Sequence, residues 1–225
     1  CIIPARGGSK RIPRKNIKPF VGRPIIEWVI EIALRSECFS TVVVSTDDQE
    51  IADIALDSGA EVPFLRPRNL SDDFAPTSLV VNHAIDWLGQ HGRFFEVACC
   101  LYATAPFVRP TDLEASLNLL KESELDFVFL AAQFPKPIGR GFSIQTNESL
   151  TMIDPNTYYT RTQDLPVHYF AAGQFYWGTN AAWRSQKNMF EMRAKPLLVP
   201  WFKAVDIDTV QDWELAEKIY KGCLE

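Results

Sequence analysis

Short apolar runs alternate along this chain with longer stretches of helical period, and the alternation predicts most of its elements. "CIIPA" is too short for a helix and reads as a buried strand that breaks into Gly7-Gly8. "PIIEWVIEIALRS" repeats apolar residues at helical spacing, "TVVVST" reads as a second buried strand, and "DQEIADIALDSG" as a helix closing at Gly59. "AEVPFL" is expected to be a further strand. The pattern continues with a helix over "TSLVVNHAIDWLGQHG", a strand over "EVACCLYA" and a helix over "TDLEASLNLLKES", where Thr111 and Glu114 have capping-box spacing. After the strand "DFVFLAAQF" the rhythm stops. Residues 133–172 hold scattered Pro and Gly, several aromatics and little period, which predicts an arm leaving the core. The rhythm resumes with "GQFYWG", "KPLLVPW" and a closing helix, "VQDWELAEKIYKG". Such a βα rhythm predicts an α/β fold of three layers around a mainly parallel sheet.

Composition adds bounds to that picture. A chain of 225 residues with 47% hydrophobic content can bury one full core, so a single domain over 1–225 is expected, with 133–172 as its arm. No apolar run reaches the roughly 20 residues of a membrane span. No secretory signal is read, and the opening Cys1-Ile2-Ile3 lies inside an apolar segment, as expected if a few residues precede it. Cys1, Cys38, Cys99, Cys100 and Cys223 have no metal-ligand spacing, and Cys99-Cys100 read as small core residues, which fits a reducing, cytoplasmic setting. His83, His91 and His168 are too dispersed to form a ligand set.

Charge picks out the site. The net charge is −5, yet the first 23 residues hold seven basic side chains and no acid, leaving 16 basic against 28 acidic in the other 202. These cations lie in the first strand-to-helix connection, at the carboxyl end of a strand, where open α/β sheets bind ligands. Gly7-Gly8 would let backbone amides approach an anion with no Cβ in the way. A polyphosphate is the expected ligand, although the loop contains neither G-x-x-x-x-G-K-[ST] nor G-x-G-x-x-G. Nucleic acid is disfavoured as a partner, because the acidic remainder of the surface would repel its backbone.

"IPARGGSKRIPRKNIKPF" resembles the nucleotide-binding signature of the CMP-sialic acid synthetases, the acylneuraminate cytidylyltransferases. The similarity continues in order through "VVVSTDDQEIADIA", "GAEVPFLRP", "TAPF", "GQFYW" and "VDIDTVQDW", and so spans nearly the whole chain. "SDDFA", "TAPFV" and "AGQFYW" are most similar to the branch acting on pseudaminic acid; synthetases of CMP-N-acetylneuraminate and CMP-legionaminate are the alternatives. The resemblance implies a Rossmann-like nucleotide-diphospho-sugar transferase fold. It also implies a reaction serving bacterial surface glycans, in which the anomeric hydroxyl of a nine-carbon keto acid sugar attacks the α-phosphorus of CTP and expels pyrophosphate. Such a transfer rests on positioning and on positive charge around the phosphates.

By that resemblance Arg6 and Lys15 are the catalytic phosphate contacts, Ala5, Gly7, Gly8, Ser9 and Asn16 complete the triphosphate loop, and Arg66, Ala75 and Thr77 meet the cytosine. Arg11 and Arg14 read as solvated charge, and Asp72 and Asp73 as caps of a helix beginning near Ala75. An extended "AVDID" would point Asp206 and Asp208 the same way as two hard oxygen ligands, which the resemblance assigns to Mg²⁺, the expected cofactor. Asp212 is expected to complete a Thr-x-x-Asp capping box with Thr209. On the sugar side the resemblance implies Tyr102, Gln174 and Tyr176 from the core. Arg161 and Gln163 would reach from the arm into the neighbour's site in a homodimer. Ala103 and Ala171 depart from the family's usual Pro and Asp, which bears on sugar preference, and no residue is assigned as general base. A nucleotide-binding protein that has lost catalysis is the reading from another class; retention of Arg6, Lys15, Asp206 and Asp208 together argues against it.

Overall fold

Adjacent residues of the apolar runs turn to opposite faces of one sheet: Ile3, Cys99 and Val128 join one core cluster, while Ile2, Cys100 and Phe127 join another. The computed structural model describes residues 1–72 and 74–224. In chain order it contains β1 (Ile2–Pro4), two short strands β2 (Pro19–Phe20) and β3 (Arg23–Pro24), α1 (Ile25–Arg35), β4 (Val43–Ser45) and α2 (Gln49–Asp57). Next come α3 (Thr77–Gln90), β5 (Val97–Leu101), α4 (Pro110–Glu122) and β6 (Phe127–Gln133). The arm carries β7 (Phe142–Ile144) and β8 (Leu150–Met152), and β9 (Tyr169–Thr179), α5 (Asn180–Ser185), β10 (Ala194–Leu198) and α6 (Val210–Leu224) complete the chain.

The main sheet runs β10-β6-β9-β5-β1-β4 and is parallel except for β9, which pairs antiparallel with both β5 and β6. Helices α1, α2 and α4 bury apolar faces on one side, and α3 and α5 on the other, giving the expected three layers. A third cluster joins α6, through Trp213 and Ala216, to Ile12 and Phe20 of the opening loop. Phe20 meets Trp213 and Tyr220 edge-on at 5.6 and 5.3 Å, so the end of the chain is packed beneath its beginning.

Three expectations need correcting. "AEVPFL" forms only isolated bridges, Val43 to Glu61 and Thr46 to Leu65, because Pro63 between them has no N–H for a ladder. The arm is shorter than 133–172: Gln133 ends β6, and Tyr169–Ala172 open β9, a strand of eleven residues. Gly173, at φ +64, sits in β9 near a register shift against β6 between Phe129 and Ala131. A glycine that reads as the end of a loop is therefore an irregularity inside a strand. The arm proper is closed at its base where Phe134 N–H donates to the His168 carbonyl at 3.0 Å. At the start of α4 the box pairs Asp112 with the Arg109 N–H, at 3.0 Å, in place of Thr111 with Glu114. As the period of "TSLVVNHAIDWLGQHG" predicts, α3 begins at Thr77, directly after Pro76.

Candidate active site

The chain runs from β1 through α1 to β4 on one flank, then crosses to β5 on the other flank of β1. Such a reversal opens a crevice at the carboxyl ends of the two strands. A cavity of about 600 Å³ lies there, walled by Pro4 at the end of β1 and Arg6 after it, by Tyr102, Ala103 and Thr104 after β5, and by the first turn of α3. Arg6, Lys10, Arg11, Lys15 and Arg66 all face it, a concentration of positive charge suited to a polyanion. The N-terminus of α3 adds its partial positive charge at Thr77 and Val80.

The opening loop is held by acids that follow β4. Ala5 is buried in the core, and its N–H donates to the Ser45 carbonyl at 3.0 Å. The Gly7 N–H donates to Asp47 Oδ1 at 3.1 Å, and a Cβ at Gly7 would collide with the Asp48 carboxylate, so only glycine fits. Asp48 caps α2 by accepting the Ile51 N–H at 3.1 Å and also receives the Arg14 guanidinium, which reaches on to Glu50. Arg14 therefore anchors the loop and is not solvated charge, and its proximity holds the Asp48 carboxyl below its ordinary pKa. Gly7 and Gly8 do not line the cavity, whereas Ser9 does. Asn16 is buried and donates to the Arg6 carbonyl at 2.9 Å, which fixes the backbone beside Arg6.

Lys15 meets the segment before α6. Its Nζ donates to the Ile207 carbonyl at 2.7 Å and lies 3.2 Å from Asp208 Oδ1, which also pairs with Arg11 at 2.8 Å. Arg11 is solvent-exposed, as expected of solvated charge, and it also lines the cavity and pairs with Asp208. Ile207 is buried between the two aspartates, so Asp206 and Asp208 leave the same side of the segment, as an extended "AVDID" requires. A Cβ at Gly173 would lie 3.3 Å from the Asp206 carboxylate, and partial desolvation, with the charge of Asp208, raises the pKa of Asp206. Neither aspartate lines the cavity, although Lys15 and Arg11, which pair with Asp208, do; two hard carboxylates so placed fit Mg²⁺, which takes only one or two protein carboxylates and completes its shell with other oxygens. Among the described residues no cluster of three or more His, Cys, Asp or Glu forms a self-sufficient metal cage. The Thr209–Asp212 box is present, with Asp212 Oδ2 accepting the Thr209 N–H at 2.7 Å.

Arg66 is 5% exposed and lines the cavity; its Nε donates to Ser71 Oγ at 3.3 Å and its Nη2 lies 3.9 Å from Asp47. Burial lowers its pKa, but a guanidinium keeps its charge. Asp72 does not cap α3: its Oδ1 accepts the N–H groups of Phe74 and Ala75 at 2.9 and 2.8 Å, forming a turn. Asp73 lies outside the described residues. Ala75 and Thr77 line the cavity, and Thr77 Oγ1 is 3.0 Å from the Tyr102 hydroxyl, whose pKa burial raises.

Tyr102 and Thr77 also border an adjoining hollow of about 280 Å³ that contains Tyr176, and the two tyrosine rings meet edge-on at 6.1 Å. Gln174 lies in neither cavity; it is 2% exposed and its Nε2 donates to the Lys203 carbonyl at 2.6 Å, which secures the segment leading to Asp206. Arg161 and Gln163 are exposed on the arm and lie in neither cavity. Ala171 borders a separate apolar hollow of about 230 Å³ with Phe129 and Phe190, whereas Ala103 faces the main cavity. Sequence reasoning missed Thr104, Leu70 and the Asp47–Asp48 pair. For the aspartates the available signal was two acids directly after the strand paired to β1.

A family model described as "Cytidylyltransferase" matches residues 1–223. The chain belongs to this family. It is therefore a nucleotidyltransferase of the cytidylyltransferase type. The chain is 44% identical to the pseudaminic acid cytidylyltransferase of Campylobacter jejuni over 98% of its own length and 95% of the relative's. It is 34% identical to the CMP-N,N'-diacetyllegionaminic acid synthase of Legionella pneumophila over 97% and 94%. Among solved structures, a CMP:2-keto-3-deoxy-manno-octonic acid synthetase complexed with CTP superposes with a TM-score of 0.70 at 20% identity, covering 98% of this chain and 97% of that one. That likeness establishes the shared fold. Among the described residues no helix is long and apolar enough to cross a membrane.

Proposed function

We propose that this cytidylyltransferase joins CTP to pseudaminic acid, releasing CMP-pseudaminic acid and pyrophosphate in the supply of surface glycans. The observation that carries the reading is the 44% identity to the Campylobacter jejuni enzyme along almost the whole of both chains. The cationic cavity at the sheet's reversal point supports it, since a triphosphate needs that charge and a sugar acceptor needs the adjoining hollow. In the proposed reaction the anomeric oxygen forms a bond to the α-phosphorus as the bond from that phosphorus to the bridging oxygen breaks. Pyrophosphate leaves with the electron pair, and the hydroxyl proton passes to solvent.

Arg6 and Lys15 act by drawing phosphate oxygens into line and by balancing charge on the leaving pyrophosphate. Arg66 and Thr77 face the cytidine end, and Tyr102 and Tyr176 the sugar. The buried Tyr102 stays protonated near neutrality and so can donate a hydrogen bond. Asp206 and Asp208 would hold Mg²⁺, which when bound neutralises charge on the triphosphate. Replacing either with Asn is expected to raise the Mg²⁺ concentration needed for half-maximal rate, and an unchanged titration would contradict the assignment. A cytoplasmic homodimer is part of the proposal. The exposed arm residues Phe142, Ile144 and Tyr159 supply apolar surface for the second copy. The test is pyrophosphate release from CTP with a panel of nine-carbon keto acids: pseudaminic acid should lead, and turnover of another member alone would overturn the substrate.

A further inference from the structure

Asp47 has no place in that reaction and does not line the cavity, yet its carboxylate stands between two of the cavity's walls. Its Oδ1 accepts the Gly7 N–H at 3.1 Å and lies 3.9 Å from Nη2 of Arg66. The same oxygen therefore faces the opening loop and the buried arginine opposite it. Its support is fixed on both sides. The Arg66 N–H donates to the Thr46 carbonyl at 2.7 Å, and the Asp48 N–H donates to Thr46 Oγ1 at 3.2 Å. Asp48 itself is held by α2 and Arg14. A desolvated guanidinium without a counter-charge is costly, and Ser71 offers only a neutral, long contact.

We propose that Asp47 is a positioning residue for CTP: it sets the opening loop and Arg66 in fixed relation before the nucleotide arrives. The proposal rests on the reading of this cavity as the CTP site. Its consequence has a distinctive sign. By Coulomb's law alone, removing a negative charge beside a triphosphate site would tighten CTP binding. A loss of affinity on neutralising Asp47 therefore reports positioning and not charge.

The experiment measures CTP affinity by calorimetry, without sugar, for the unaltered chain, Asp47→Asn, Arg66→Ala and the double variant. Asn is isosteric and retains an acceptor for the Gly7 N–H, so the loop stays anchored while the charge facing Arg66 is lost. Asp47→Asn should weaken CTP about fivefold, the upper end of what one ion pair of this kind contributes. In the Arg66→Ala background it should weaken CTP less than about twofold, because its route of action is gone. Equal losses in both backgrounds, or no loss in the first, would overturn the proposal. Exchange of the Gly7 amide supplies the loop half: it should be faster in Asp47→Ala than in Asp47→Asn, and equal rates would remove that half. Failure of the unaltered chain to bind CTP would instead defeat the reading of the cavity itself.

Discussion

Arg6 and Lys15 illustrate how far a single residue's role follows from its surroundings. Lys15 reaches the cavity because the Ile207 carbonyl and Asp208 orient its ammonium from behind, while Arg6 is held through its own carbonyl by Asn16. Replacing either with Ala should cost roughly 2.7–4 kcal/mol of transition-state stabilisation, comparable to removing one preorganised donor. Turnover within a few-fold of the unaltered chain in both variants would contradict the assignment. Arg14 makes a different kind of expectation. Its guanidinium holds the Asp48 carboxyl below its ordinary pKa, so the contribution is full above the unfolded carboxylate's pKa and is lost as pH falls through the lowered folded value. The unfolding midpoint of Arg14→Ala should therefore lie below that of the unaltered chain at pH 7, with the gap closing in acid. A gap that does not change between the two conditions would show that the pair contributes nothing through Asp48 ionisation.

Elements with a clean period were legible in the sequence, and those shaped by a partner were not. "PIIEWVIEIALRS" and "TVVVST" appear as α1 and β4 because one apolar stripe and one doubly buried run need no further information. "AEVPFL" has the composition of a strand, but Pro63 interrupts its ladder. β9 was read only from Gly173 onward, since Tyr169 and Phe170 look like loop aromatics until β6 is beside them. In the site, the cations were visible as a local excess. Arg11 is solvent-facing as read, but its pairing with Asp208 was not legible, because Asp208 lies 197 positions away by sequence number and is brought near by the packing of α6 against Phe20. The arm is the element whose purpose is least explained within one chain. Arg161 is exposed and lines neither cavity of this chain, and the proposed homodimer would give it a role in the neighbour's site. Arg161→Ala should weaken sugar binding with CTP affinity nearly unchanged, and mixing it with Lys15→Ala should restore part of the activity through hybrid dimers. A fully active monomer in sedimentation would exclude that reach.

At the scale of the whole molecule, charge and topology converge. An acidic chain carries a local excess of cations in the connection that follows β1, beside the crevice between β1 and β5, and this is the place proposed for nucleotidyl transfer in a chain whose residues 1–223 match the cytidylyltransferase family. Ala171 borders an apolar hollow beside Phe129 that is separate from the main cavity, and Ala103 lines the main cavity; neither lines the hollow proposed for the sugar. The most direct measurement is kcat/KM for pyrophosphate release with CTP, Mg²⁺ and, separately, pseudaminic, N,N'-diacetyllegionaminic and N-acetylneuraminic acids. Pseudaminic acid should exceed both others by at least about tenfold, the scale set by one or two pocket contacts. Equal rates for all three, or a higher rate with either of the other two acids, would contradict it.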